Sequence, residues 1–454
     1  MSNANQSKPA SSPANARVDW VIHARWIATV DDANTVLENH ALVVKNSNII
    51  ELLPSADAEQ NYTGENTVNL DQHLVLPGLV NAHCHAAMAL LRGFADDLPL
   101  QTWLEQHIWP TEGRHVAPQF VYDGSLIAIA EMIRSGTTCF ADMYFFPEQT
   151  AKAATEVGMR AHLAPPVFDF PSNWQTGPEQ YLSAIAQLSE NQASNPLLST
   201  AIGPHAPYTV SDDTFKQITA AQKQLDCGLH IHVHETAQEV SDSQSQHGLR
   251  PLARLAQLGA LGPKTQCVHM TQINDADLEA LHQWQPSVVH CPKSNMKLAS
   301  GFCPVHKLIE EGINVALGTD GAASNNNLDM ISEMQFAALL AKPVSGKATA
   351  ISAQQALRMA TINGAKALGL DGLIGSLEKG KQADITAIRL DHLSQAPVYS
   401  PLSALVYASS GRQVTDVWIA GEQQLAAGQL IKLATDELRA RQQRWLNVIA
   451  GDAQ

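Results

Sequence analysis

From Pro77 onward, short apolar runs alternate with stretches of helical periodicity, and that alternation leaves few folds open. The runs are LVNAHCH, TTCFADMY, MRAHLAP, STAIGPH, GLHIHVH, QCVHM, PSVVHC and INVALGTD, with DDTFKQITAAQKQL, PLARLAQL, DADLEALHQW and VHKLIEEG among the helical stretches between them. Strand and helix in turn predict parallel strands joined by helical crossovers, and eight such units predict a (β/α)8 TIM-like barrel. The flanks read differently. VDWVIHARWIATV, NHALVVKNSNIIELL and VNLDQHLVL precede the alternating region, and GSLEKGKQADITAIRL and VTDVWIAGEQQLAAGQL follow it, all as short strands with turns. They predict a small β-sandwich domain assembled from both chain ends. The expected division is a disordered tail over 1–17, a composite β-domain over 18–75 plus 371–432, the barrel over 76–370, and a C-terminal helix over 433–454.

Composition narrows the function classes. Hydrophobic residues make up 45% of the 454 and charged residues only 16%, which describes a large core rather than a disordered chain. The formal net charge is −15 and no Lys/Arg cluster stands out, which argues against nucleic acid and anionic membranes as partners. No run of about 18 apolar residues suggests a membrane span, and the Ser/Asn/Ala/Pro-rich start lacks the apolar core of a secretory signal. The six cysteines are scattered through apolar runs and read as buried reduced thiols. A cytoplasmic protein is the expectation.

Metal-ligating residue types collect where the strand-like runs stop. His83 and His85 end the first run, His205 the fourth, His232 and Glu235 the fifth, His269 the sixth and Asp320 the eighth. Chemistry in an α/β barrel sits at the C-terminal ends of its strands. Residues two apart on a strand share a face, so His83 and His85 both turn inward while Cys84 turns away. Imidazoles with one carboxylate suit a single divalent cation with an open position, where a water becomes a nucleophile at neutral pH. The spacing of His230, His232 and His234 leaves open which of the three binds. Asp142 and Asp97 are further carboxylates, each read as a loop or cap residue. The fourth run ends without a lysine, so one ion is expected rather than a bridged pair.

LPGLVNAHCHAAMALLRG, GPHAPY, HVHET, VHM, HCPKSNMKLASG and LGTDGAASNNNLD together resemble the amidohydrolase superfamily, and more closely its 5-methylthioadenosine/S-adenosylhomocysteine deaminase branch, neighbours of the triazine hydrolases. The resemblance covers nearly the whole chain after the tail. It implies that His83, His85, His232 and Asp320 bind one zinc ion per chain, with iron(II) the alternative, and that Glu235, His269 and Asp320 are catalytic. It further implies that Trp103, Glu112, His205, Glu235 and Ser324 contact a nucleoside substrate. The expected reaction is hydrolytic deamination of methylthioadenosine, S-adenosylhomocysteine or adenosine, with a guanine/8-oxoguanine deaminase or a triazine hydrolase as the alternative. A homodimer or homotetramer is compatible with it. One departure stands out. Arginines that meet the homocysteine carboxylate in the branch are missing after Arg160, where the chain reads AHLAPPVFDFPSNWQTGP. This favours substrates with neutral tails, for which Phe168, Phe170 and Trp174 are the available wall.

Overall fold

The computed structural model describes residues 15–451. Strands β1 (Ala16–Ala28), β2 (Val36–Lys45), β3 (Asn48–Pro54) and β4 (Tyr62–Pro77) come from the first stretch. The alternating region supplies β5 (Leu79–Cys84), β6 (Thr137–Asp142), β7 (Arg160–Leu163), β8 (Pro166–Val167), β9 (Leu198–Thr200), β10 (Gly203–Pro204), β11 (Leu229–Val233), β12 (Thr265–His269), β13 (Ser287–His290) and β14 (Val315–Leu317). The last four are β15 (Ile385–Arg389), β16 (Val414–Ile419), β17 (Glu422–Ala426) and β18 (Gln429–Leu430). The expected tail lies outside the described residues as far as 14; its last three residues do not, and Ala16 and Arg17 pair in β1 with Tyr62 and Thr63 of β4.

Both chain ends share one eight-stranded sheet, ordered β18-β17-β16-β15-β4-β1-β2-β3. The junction is the antiparallel β4–β15 ladder, and β1 and β4 run parallel. In a flat sheet, the three ladder steps from β16 to β1 would separate side chains by about 14 Å. Yet the rings of Trp20 and Trp418 meet edge-to-face at 5.7 Å. The sheet therefore coils over a core that includes Ile22, Leu42, Val75, Ile385 and Trp418.

The strands of the alternating region pair only in parallel, as β5-β6-β7-β9, β10-β8 and β11-β12-β13-β14. They are buried runs covered by helices such as Pro118–Arg134 and Met330–Ser345, as parallel sheets require. Close contacts link the ladders, two of them through the backbone at their ends. Ile202 bridges Leu229 beside β11, and the Asp320 N–H donates to the His83 carbonyl at 3.0 Å, past the end of β14. Gly318 makes the second approach close, because a Cβ there would lie 2.9 Å from the His83 backbone and Cβ.

The coiled sheet is tied to the parallel strands by a buried pair. Arg160 on β7 donates to both Asp384 oxygens at 2.9 and 3.1 Å and to Gln382 Oε1 at 2.6 Å. The last helix, Thr435–Gly451, is pinned to helix Pro118–Arg134 through Asp123, which accepts from Arg441 and from the Trp445 indole at 3.0 Å. Among the described residues, no helix is long and apolar enough to cross a membrane.

Candidate active site

The strand ends bring three imidazoles to one point. One ligand atom from each of His83, His85 and His232 lies within 4.8 Å of the others. His85 Nδ1 sits 2.6 Å from the Met143 carbonyl and His232 Nδ1 sits 2.7 Å from the His205 carbonyl. A carbonyl only accepts, so both Nδ1 atoms carry the proton and both Nε2 lone pairs face the cluster. His83 is oriented by a longer chain: its Nδ1 meets His230 Nε2 at 2.7 Å, His230 Nδ1 meets Gln266 Oε1 at 2.5 Å, and Gln266 donates to the Ala367 carbonyl at 2.8 Å. Carbonyl and carboxamide partners of this kind fix metal-ligating histidines.

Asp320 supplies the oxygen. Its Oδ1 lies 3.4 Å from His83 Nε2 and 3.2 Å from His85 Nε2, while Oδ2 accepts from Ser294 at 2.6 Å and Ser324 at 2.8 Å. Burial opposes charge here, but hydrogen bonds from His83 and His85 outweigh it and hold the carboxyl well below its usual range. Burial alone would discharge His85; its hydrogen bond to Asp320 wins and lifts it to about 9. Burial keeps His83 down at about 4, and metal ligation requires His85 to give up its extra proton. Three nitrogen lone pairs and one anionic oxygen, aimed at one point with their outer atoms already satisfied, fit a divalent ion of the zinc type.

The backbone is strained where the chemistry concentrates. His234, His269, Met270 and Asp320 have φ of 55°, 78°, 49° and 63°, a region costing roughly 1–3 kcal/mol per non-glycine residue. The turn at His234, just past β11, separates the roles of His230, His232 and His234. His232 points at the cluster, His230 backs His83, and His234 is rotated away, taking the Leu252 N–H on Nε2 at 3.0 Å. Glu235 is held by its own chain: Thr236 caps the helix Ala237–His247, and the Glu239 carboxylate accepts from the N–H groups of His234 and Glu235 at 2.9 and 2.7 Å. Burial raises the Glu235 carboxyl above its ordinary value. Its Oε2 lies 3.8 Å from His269 Nε2, and Oε1 accepts from Ser300 at 3.2 Å.

One cleft gathers the expected residues. Its wall includes His85, Trp103, Glu112, His205, His232, Glu235, His269, Asp320 and Ser324, with His83 fully buried behind it. Glu112 receives the Tyr144 hydroxyl at 2.6 Å, and burial pushes its pKa up to about 7. Asp142 stays out of the cluster and accepts from the Ala86 N–H at 2.7 Å, which ties down the turn after His85. Cys84 is fully buried, in the same apolar core as Leu126 and Ile129. Sequence reasoning assigned no role to Ser294, Asn295, Ser300 or Tyr144. Asn295 approaches His269 Nδ1 at 3.0 Å. The first three lie in HCPKSNMKLASG, beyond the end of β13; the strand-end rule points to that segment but not to which of its side chains turn inward.

Residues 74–423 match the amidohydrolase family model. The chain belongs to the amidohydrolase family. It is 50% identical over 427 residues to the 5-methylthioadenosine/S-adenosylhomocysteine deaminase of Saccharophagus degradans, covering 94% of this chain and 96% of that protein. It is similar in structure to an adenosine deaminase from Xanthomonas campestris with bound zinc, at a TM-score of 0.95 and 46% identity, over 96% of this chain and all of that one. The zinc-bound atrazine chlorohydrolase of Arthrobacter aurescens TC1 superposes at a TM-score of 0.87 over 94% of this chain and 100% of that one; at 21% identity, that likeness shows the fold alone.

Proposed function

We propose that this amidohydrolase deaminates adenine nucleosides by hydrolysis at C6, releasing ammonia and the inosine-type product. The observation that carries the reading is the meeting of three Nε2 lone pairs and Asp320 Oδ1 beside a raised Glu235 carboxyl, on a cleft whose other wall is Glu112. The deaminases it is similar to over nearly its whole length support it.

His83, His85, His232 and Asp320 would hold one zinc ion, with iron(II) the alternative. The bound ion would lower the pKa of a water toward about 7. Asp320, whose Oδ2 takes the two serine hydroxyls and whose Oδ1 takes the Gly321 N–H at 2.8 Å, would accept a proton from the attacking water. Glu235, whose carboxyl burial raises above its ordinary value, gives a proton to ring nitrogen N1 and makes C6 electrophilic. His269, 3.8 Å from Glu235, steadies the charge that Glu235 then carries. The water oxygen adds to C6, the C6–N bond breaks as Asp320 passes its proton to the leaving amine, and the C6 hydroxyl proton returns to Glu235 as the carbonyl forms. Each such transfer contributes on the order of 10²–10⁴-fold. Glu112 accepts hydrogen bonds from ribose hydroxyls, Trp103 and His205 flank the nucleoside, and Ser324 steadies Asp320. A free purine or a triazine would meet the same ion, but it would leave Glu112 without a use.

The same reading takes the parallel ladders as one closed (β/α)8 barrel over 76–370, with the coiled sheet of 18–75 and 371–432 as a sandwich-like second domain and 433–454 as a closing helix. Exposed Phe336, Leu339 and Val344 along one helix favour a homodimer or homotetramer, and six unpaired cysteines suit a reducing, cytoplasmic setting. The test is ammonia release by metal-replete protein from adenosine, methylthioadenosine, guanine and a chlorotriazine. Release from the nucleosides supports the reading; release from a free base alone would replace it.

A further inference from the structure

A second hollow opens beside the metal-facing cleft, with walls formed by Trp109, Glu112, Phe145, Phe168, Phe170 and Pro171 among others. Trp109, Glu112, Phe145 and Phe168 also line the cleft itself, so the two spaces share a wall. The annex has about 230 Å³ of water-accessible space against about 90 Å³ in the cleft. One water needs about 10–15 Å³ on such a measure, so the annex is far larger than a methyl group requires.

Its aromatic rings are stacked or tilted on one another: Phe145 stacks on Phe168 at 6.0 Å, and Phe168 meets Phe170 at 4.9 Å and His205 at 4.7 Å, both tilted. Its polar atoms are already engaged. The Asn173 amide donates to the carbonyls of Glu112, Gly113 and Val116 at 3.2, 3.1 and 3.0 Å, and Ser172 Oγ accepts from the N–H groups of Trp174 and Gln175. Among the described residues, no lysine or arginine lines the annex or the cleft. Arg160, the last arginine before this loop, is 2% exposed and spent on Asp384. Trp174 turns into the core against Tyr181 and is not part of the wall.

If Glu112 holds the ribose, the base lies toward the metal ligands and the 5′ substituent lies over the annex. The geometry points to an apolar subsite that takes neutral 5′-thioether groups, including ones much larger than methylthio, and disfavours a zwitterionic amino-acid tail. A buried carboxylate there would find only Glu112 as an ionisable neighbour. This rests on the nucleoside-deaminase reading above.

The test compares kcat/KM of the metal-replete full chain for adenosine and its 5′-methylthio, 5′-isobutylthio and 5′-benzylthio analogues, and for S-adenosylhomocysteine. The expected result is isobutylthio and benzylthio turnover within about threefold of methylthio, with S-adenosylhomocysteine at least tenfold lower. Phe170 is 46% exposed at the rim. In Phe170→Arg, the ratio of S-adenosylhomocysteine to adenosine turnover should rise at least threefold while the ratio of benzylthio to adenosine falls. Opposite movements of two ratios do not follow from poor folding. Bulky thioethers turned over tenfold worse than methylthio, S-adenosylhomocysteine matching it, or ratios unmoved in Phe170→Arg would overturn the subsite and leave adenosine deamination standing. No ammonia from any nucleoside would overturn both.

Discussion

Replacing Ser294 by alanine should weaken the site without removing any residue that meets the metal. Asp320 Oδ2 accepts from Ser294 at 2.6 Å and from Ser324 at 2.8 Å, and the two hydroxyls lie 3.2 Å apart. A hydrogen bond to a charged group is worth about 1.5–3 kcal/mol. With Ser324 still present, Ser294→Ala should cost about 1.5 kcal/mol, or roughly tenfold in kcat/KM. Without either hydroxyl, Oδ2 loses both side-chain donors and only Oδ1 stays held, by the Gly321 N–H at 2.8 Å, so the double variant should cost about 3 kcal/mol, on the order of 100-fold. Losses of about 1.5 kcal/mol for each single variant would sum to that of the double, and any departure from the sum measures the coupling of two hydroxyls on one oxygen. The assay is kcat/KM on adenosine with zinc affinity measured alongside by chelator competition, since partners of ligating groups typically affect affinity by about 10–100-fold. A double variant that melts like wild type and stays within threefold on both readouts would refute this role for the serines.

Other outcomes follow from the same geometry. Glu235→Gln should retain zinc while losing about 10²–10⁴-fold in kcat, measured by metal content and ammonia release on one preparation; retained turnover would remove Glu235 from the mechanism. Arg160→Ala strands Asp384 in the interior and should cost about 3–5 kcal/mol in denaturant unfolding, whereas Arg160→Met with Asp384→Leu should recover most of it; equal losses would contradict the account of that pair. Glu112 titrates at about 7 when folded against 4.5 for the free group, so the folded form binds the extra proton between those values. Its contribution to stability is full below pH 4.5 and lost as pH rises through about 7. The pH–stability curve of Glu112→Gln should therefore fall less steeply than wild type across that window, and parallel curves would show Glu112 ionised throughout.

Much of this site was legible before any coordinates, because β-strands project alternate residues to one side and barrel chemistry collects at one end of the strands. That logic found His83, His85, His205, His269 and Asp320 from position alone. It could not separate His230, His232 and His234, since the answer depends on the left-handed turn at His234 and on the Glu239 carboxylate that fixes it. Ser294 and Asn295 reach the site from a short helix, Pro292–Lys297, whose direction no periodicity encodes. Likewise, apolar alternation marked strands at both chain ends but gave no partner for any of them. The parallel pairing of β1 with β4 and the coil that joins Trp20 to Trp418 are tertiary facts. The loss of tail-binding arginines was visible in sequence, but the hollow in their place was not.

The most direct test of the account is to strip the protein of metal, confirm the loss, and titrate zinc back while following ammonia release from methylthioadenosine. The account predicts that activity disappears with the metal and returns linearly to a plateau at one zinc per chain, with His232→Ala failing to recover. Undiminished deamination by the stripped protein, or one bound zinc per chain with no ammonia from any adenine nucleoside, would contradict it.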